Sequence, residues 1–450
     1  MGKYRNNICS WLICLIVSAI TAACSHEVDS LFTLTAAERI DRAVSDYSAY
    51  LTSSPEGWVM EYYPTNSVNH TTGRGYLIVL DFMNDGSAVM TMKNSASDYK
   101  ALRDTSVWEI RKDNGPVLSF PTYNSCLHRF SDPSYRELGT GMGGDYEFVL
   151  ADTATESRSV MMKGKKRGVY VRMSQLAEGN HERYIDGVEA FKDSLFPYDA
   201  VNYNLLSTGN AVYRVDSISG GIPNIYPVDG DPVANEKRAP YLITLHKDGY
   251  HLRFRDVLHL GADDVQELVF DPDRNCFAAG DNSGKVTLKA PDAVAFFDET
   301  VRNGLGWSMK LSEDAMCAQL YSIYKRLLSQ MAAQRDKYEL ESWYCTIHDA
   351  QSEEAILSVD VTFRKNRNTR IKVRYDYDYS VGSGVVSMKN PVPVGSQSES
   401  VLSVFTAFDE LLKAVAGDYS ICSVKSCFCL NSLKWNQAGD SIWFRFDIEK

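Results

Sequence analysis

Two histidines, His246 and His251, flank a turn in the run YLITLHKDGYHLRF. With Asp248-Gly249 as a two-residue turn, Lys247 pairs with Tyr250 and His246 lies directly across from His251. Cross-strand neighbours have Cβ atoms about 5 Å apart, so both imidazoles can reach one metal ion. A third ligand is then needed, and Asp256, His259 or a residue of the preceding segment is placed to supply it. Two histidines on a solvent face explain the same residues without a metal. That plainer reading is adopted: no metal, cofactor or catalytic residue is assigned.

Other constellations reduce to structure. In RIKVRYDYDY, Ile371, Val373, Tyr375, Tyr377 and Tyr379 share one strand face, and Arg370, Lys372, Arg374, Asp376 and Asp378 share the other. The tyrosines could stack a sugar, but apolar-in, polar-out alternation turns them to the core. Cys422, Cys427 and Cys429 lack the Cys-x-x-Cys knuckles of a zinc ribbon. Asp271, Asp273 and Asn275 lack the glycine and distal glutamate of an EF-hand and read as a turn. The glycine-rich run at 139–148 has no Lys-Ser or Lys-Thr and leads into a strand, so it is not a phosphate loop. Neither Gly-x-Ser-x-Gly nor His-Glu-x-x-His occurs.

The elements that position these residues are mostly strands. Thr35 to Glu38 forms a capping box that opens an amphipathic helix over 36–52. SSPEGWVMEYYP follows, and Trp58, Met60 and Tyr62 alternate with Val59, Glu61 and Tyr63 between two prolines, as in a first strand. YLIVLDFMNDGSAVMTM is a hairpin with a type I′ turn at Asp85-Gly86. Short strands recur to residue 173, the spacing of a sandwich or open barrel. Residues 209–240 are rich in Pro, Gly, Asn and Asp and read as a long loop. Helices are expected from Pro291, over 313–335 and over 399–416, with strands between them and at 441–448. The expected class is α+β and β-rich. An N-terminal helix and antiparallel sheet fill 35–208, a second β unit 241–290, and an α+β domain with helices on an antiparallel sheet 291–450.

The first 23 residues stand apart. Lys3 and Arg5 precede an apolar run from Trp11 to Ala23, too short to span a bilayer, which needs about 20 apolar residues. This is the pattern of a secretory signal. Cys24 follows at once, where a bacterial lipoprotein carries its acylated cysteine, and residues 24–34 form a tether. Several acyl chains on one residue hold a soluble domain on a membrane. The net charge of −11 and the absence of a long basic run exclude nucleic acid as a partner. Seven cysteines remain beyond Cys24, an odd number at irregular spacing, and read mainly as buried small hydrophobes.

SSPEGWVMEYYP, YLIVLDFMNDGSAVM, GPVLSFPTYNSCLHRFSDP, GDYEFVL and MMKGKKRG occur in that order. Together they resemble an uncharacterised family of Bacteroides-type outer-membrane lipoproteins, over roughly residues 20–175. The resemblance implies the setting of starch-utilisation-type uptake systems and carries over no catalytic residue. Glu27 and Asp29 behind Cys24 resemble that group's surface-export signal. The expectation is a lipid-anchored, surface-exposed, non-catalytic module that holds a glycan or peptide near an uptake complex. A hydrolase with a site assembled from scattered residues, and a structural or adhesive partner, are the alternatives.

Overall fold

The computed structural model describes residues 34–64, 73–135, 141–154, 159–177, 179–201, 203–229, 236–280, 284–348, 355–426 and 428–448. Residues 1–23, Cys24, Glu27, Asp29 and Cys427 lie outside them. Among the described residues, no helix is long and apolar enough to cross a membrane.

Helix α1 (Ala36–Leu51) opens on the expected capping box: the Glu38 backbone N–H donates to Thr35 Oγ1 (3.3 Å) and the Thr35 N–H to the Glu38 carboxylate (2.8 Å). The SSPEG turn needs its glycine. Gly57 has φ +86°, and a Cβ there would lie 2.2 Å from Asp81 Oδ1. The chain then enters β1 (Trp58–Tyr63), every residue of which is buried. The Trp58 indole donates to the Leu51 carbonyl (2.8 Å), tying strand to helix.

Strand β1 is an inner strand of an antiparallel sheet completed by β2 (Tyr76–Phe82), β3 (Ser87–Met92), β4 (Leu102–Val107), β5 (Glu109–Lys112), β6 (Pro116–Ser119), β7 (Glu147–Ala154), β8 (Ser159–Gly164) and β9 (Tyr170–Gln175). The order is β4-β3-β2-β1-β9-β8-β7-β6-β5. The two edge strands are consecutive and separated only by Trp108. One bent strand over residues 102–112 thus carries both edges, and the meander is a near-barrel. Its first hairpin turns through Asn84–Gly86 with Gly86 at φ +82° and a Met83 N–H to Ser87 carbonyl bond (2.8 Å). This is a three-residue bulged loop in place of the expected type I′ turn.

Helix α2 (His181–Leu195) starts a second unit with the same plan: β10 (Asn204–Ser207), β11 (Val212–Asp216), β12 (Asn224–Pro227), β13 (Lys237–Arg238), β14 (Tyr241–His246), β15 (Gly249–Leu260), β16 (Asp263–Asp271), β17 (Cys276–Ala278) and β18 (Thr287–Lys289). The order β13-β12-β11-β10-β18-β17-β16-β15-β14 repeats the first sheet position by position. Its edge strands are again consecutive, separated by Ala239-Pro240. Residues 209–240 therefore hold three strands, where a long loop was expected. These strands are at most five residues long and sit between Pro, Gly and Asp turns, so period-two alternation has no room to show.

Helix α3 (Ala293–Arg302) opens a third unit: β19 (Trp307–Met309), α4 (Ala318–Ala332), β20 (Tyr338–His348), β21 (Ala355–Lys365), β22 (Thr369–Gly382), β23 (Val385–Val394), α5 (Ser396–Val404), α6 (Thr406–Ala414), β24 (Gly417–Ser423), β25 (Ser432–Asn436) and β26 (Trp443–Ile448). Its strands close into a barrel in chain order, with β26 returning to β19. The helix expected over 399–416 is broken at Phe405 (φ −103°, ψ 69°), whose ring is driven between Tyr338 and Phe363.

The tyrosines of β22 face inward as expected and are at most 1% exposed. Their hydroxyls fasten helices to the barrel: Tyr375 donates to Asp409 (2.9 Å), Tyr377 to the Leu412 carbonyl (2.7 Å) and Tyr379 to Asp298 (3.0 Å). Removing one such buried bond costs about 1 kcal/mol. In urea titrations Tyr377→Phe should lower the unfolding free energy of the third unit by that amount, whereas Asp378→Asn on the exposed face should leave it within about 0.5 kcal/mol.

Candidate functional site

The hairpin that carries the two histidines adopts a register two residues away from the expected one. His246 pairs with Gly249 and Thr244 with His251, so the turn residues are Lys247 and Asp248. Apolar matching selects this register: Tyr241 lies opposite Phe254 and Ile243 opposite Leu252, whereas the other would set Tyr241 against Asp256. His246 and His251 become diagonal neighbours on one face, with ring centroids 4.3 Å apart. That face is not solvent. His251 is buried, and both rings look toward the outer surface of the first sheet, where Glu61 and Arg172 sit.

Glu267 is the third member, brought alongside by the β15–β16 pairing. Donor atoms of His246, His251 and Glu267 all lie within 4.8 Å of one another. The ligands expected from sequence are elsewhere. His259 pairs with Asp264 across the next hairpin, β15–β16 (2.6 Å), and Asp256 is held by Arg255. Glu267 was legible only through a register that spans two turns.

The trio belongs to a larger ionic cluster between the first two sheets. Both ring nitrogens of His251 donate to carboxylates, Nδ1 to Glu267 (2.7 Å) and Nε2 to Asp248 (3.1 Å). Arg253 donates to the other Glu267 oxygen (2.5 Å), and Arg172 to Glu61 (2.7 Å). Burial opposes the charge on His251, but its two carboxylates outweigh that and raise its pKa. Burial, with the neighbouring His251 and Arg172 charges, brings His246 down to about 4. Burial also opposes ionisation of Glu267, yet the His251 bond and the Arg172 and Arg253 charges hold it at about 2. Glu61 is 1% exposed, and burial pushes its pKa up against the pull of Arg172 and Arg253. Three acids thus meet three cations. Those bonds engage His251 and Glu267, and the cluster pairs ions across a seam.

A second seam, between the second and third units, holds an open cleft of about 590 Å³. Asn431 of the third unit pins its rim by accepting from the Val201 N–H (2.9 Å) and donating to the Asp199 carbonyl (2.6 Å). Phe196 and Phe428 pack edge to face in its wall (5.1 Å). Arg214 also lines it, stacked 3.6 Å over Tyr203 and bonded to Asp216 (3.1 Å) and Glu299 (2.8 Å). Tyr226 donates to Asp216 (2.6 Å) and Tyr203 to Glu299. None of these groups was singled out from sequence, because Arg214 and Glu299 are 85 residues apart. The signal that was available is the helix α2 that leads to them: Asn180 as cap, then Tyr184, Ile185 and Val188 on one face.

A family model described as a domain of unknown function, DUF4302, matches residues 28–272. No curated protein matches the chain. Among solved structures, a point mutant of the vaccine antigen transferrin binding protein B from Haemophilus parasuis covers 89% of this chain and 78% of its own, at 7% identity and a TM-score of 0.16. P47 from Clostridium botulinum A2 covers 91% and 95% at 10% identity and a TM-score of 0.15. At these scores neither carries an argument about fold or function.

The histidines make opposite contributions to pH dependence. His246, depressed from 6.5 to about 4, stabilises the fold above pH 6.5, and that contribution is lost as pH falls toward 4. His251, with its pKa raised, contributes fully below 6.5, and its contribution is lost as pH rises through its folded value. His246→Asn should therefore lose less stability than the parent between pH 7 and pH 5, by about 1–2 kcal/mol in paired urea titrations.

Proposed function

The chain belongs to the DUF4302 family of domains of unknown function, and from that premise we propose that it is a lipid-anchored envelope protein serving as a non-catalytic binding module in nutrient capture. Cys24 is the lipidation site and ties the protein to an outer membrane, with the three β units facing outward beside an uptake complex. The basic start, short apolar run and cysteine support the anchor, and Glu27 and Asp29 support surface display. Glycan or peptide is the ligand class.

The observation that carries the binding role is the cleft at the second seam. Its volume falls within the range of small-ligand sites, and its polar groups are preorganised by one another. The carboxylates bonded to Arg214 favour binding over hydrolysis. Asp216 and Glu299 are each committed to Arg214 and to a tyrosine hydroxyl, which leaves neither as a free acid or base.

Two experiments test the two halves of this reading. Labelled palmitate should enter the wild-type polypeptide and not the Cys24→Ser variant; equal labelling of both removes the anchor. A glycan and peptide array probed with residues 25–450 should return a ligand. An array blank in both classes contradicts the binding role.

A further inference from the structure

The ligand class at this cleft can be narrowed, on the premise of the binding role above. We infer that the cleft between the second and third units takes a neutral saccharide, with Asn204 as its buried hydrogen-bonding group and Tyr198 as a stacking ring at its rim.

Asn204 is the anomaly of the region. It lines the cleft, is 1% exposed, and both its side-chain oxygen and nitrogen lack a hydrogen-bond partner among the described residues. A buried amide left unpaired destabilises the free protein, and such groups call for an explanation. A ligand that supplies a donor and an acceptor side by side resolves it. Vicinal hydroxyls of a sugar do so, since each is both donor and acceptor.

Charge decides against ionic ligands. The Arg214 guanidinium is matched by Asp216 and Glu299, so among the described residues that line it the cleft has no spare cation for a phosphate or carboxylate. Both carboxylates are already engaged, so it has none for an amine. What remains is a neutral polar ligand with an apolar side. Phe196 and Phe428 offer a wall for the C–H face of a pyranose. Tyr198 is 91% exposed, a large ring held in water beside that wall, and aromatic rings stack on such faces.

Backbone geometry decides against a peptide that binds by strand addition. Extended peptides bind by adding a strand to an open sheet edge. Strand β10 beneath the cleft is paired on both sides, with β11 and β18, and β11 is paired with β10 and β12. Recognition here rests on side chains.

The test is calorimetric titration of residues 25–450, which keep every described element, with maltohexaose, xylohexaose, mannohexaose and chitohexaose, and with a neutral capped hexapeptide as the contrasting arm. At least one oligosaccharide should bind and the peptide should not. Asn204→Leu should hold or raise the melting temperature, because it removes an unpaired buried amide, while weakening sugar binding at least tenfold. Tyr198→Ala should leave the melting temperature unchanged and weaken binding severalfold. Failure of all four sugars overturns the inference. If peptides bind instead, the broader binding role stands and the saccharide assignment falls. Sugar binding unchanged in both variants places the ligand elsewhere, and a melting temperature lowered by Asn204→Leu marks Asn204 as a structural residue; either result overturns the site.

Discussion

Glu61 is a carboxylate with no access to water, and the way the first two units meet is the solution to that problem. It projects from the outer face of the first sheet, where burial penalises its charge. Arg172 from the same sheet and Arg253 from the second supply the opposing charge, and Glu267, His251 and Asp248 complete the set. Replacing such a cluster with apolar side chains is often neutral or stabilising, so its role is directional. Val59 and Val79 share one apolar cluster with Tyr184, Ile185 and Val188 of helix α2, which supplies adhesion without specifying an angle. The charges admit few angles, because a rotation that carries Arg253 away leaves Glu61 with Arg172 as its remaining opposing charge.

That fixed seam matters because the molecule is three variations on one plan. Each unit is a helix followed by an antiparallel meander, and in the first two the fourth strand is bent so that it serves both edges, at Trp108 and at Pro240. In the third the fourth strand, β22, runs unbroken for fourteen residues and the barrel closes. Bending or closing the fourth strand limits the unpaired edge that a meander of this length would otherwise expose. The interiors are filled with aromatic and aliphatic side chains, and two of the clefts fall where units abut. The clefts at Glu56 and His246 and at Asn204 and Arg214 both lie at such seams.

Patterns shorter than about a dozen residues were readable in the sequence. The capping box at Thr35, the alternation of Trp58 to Tyr63 and the inward tyrosines of β22 all stand as expected, because each depends on neighbours in the chain. What depended on distant partners was not readable. The register of the His246 hairpin was set by Tyr241 against Phe254, not by the turn. The three-unit plan was hidden because its repeat lies in strand order. The similar runs YLIVL and YLITL fall on β2 and β14, which hold different positions in their sheets. Closure of the third unit requires Trp307 and Ile448, which are 141 residues apart.

The cleft at Asn204 was illegible for a related reason: an unpaired amide is a property of its surroundings, and the sequence shows only an asparagine near the start of a short strand. Its side-chain NH2 therefore reports most directly on whether the seam is a binding site. In a deuterated chain labelled with 15N at asparagine, the Asn204 side-chain resonances should shift on addition of a neutral oligosaccharide, with those of exposed Asn114 unmoved. Resonances of Asn204 that stay in place while the sugar binds would contradict the assignment of the ligand to this seam.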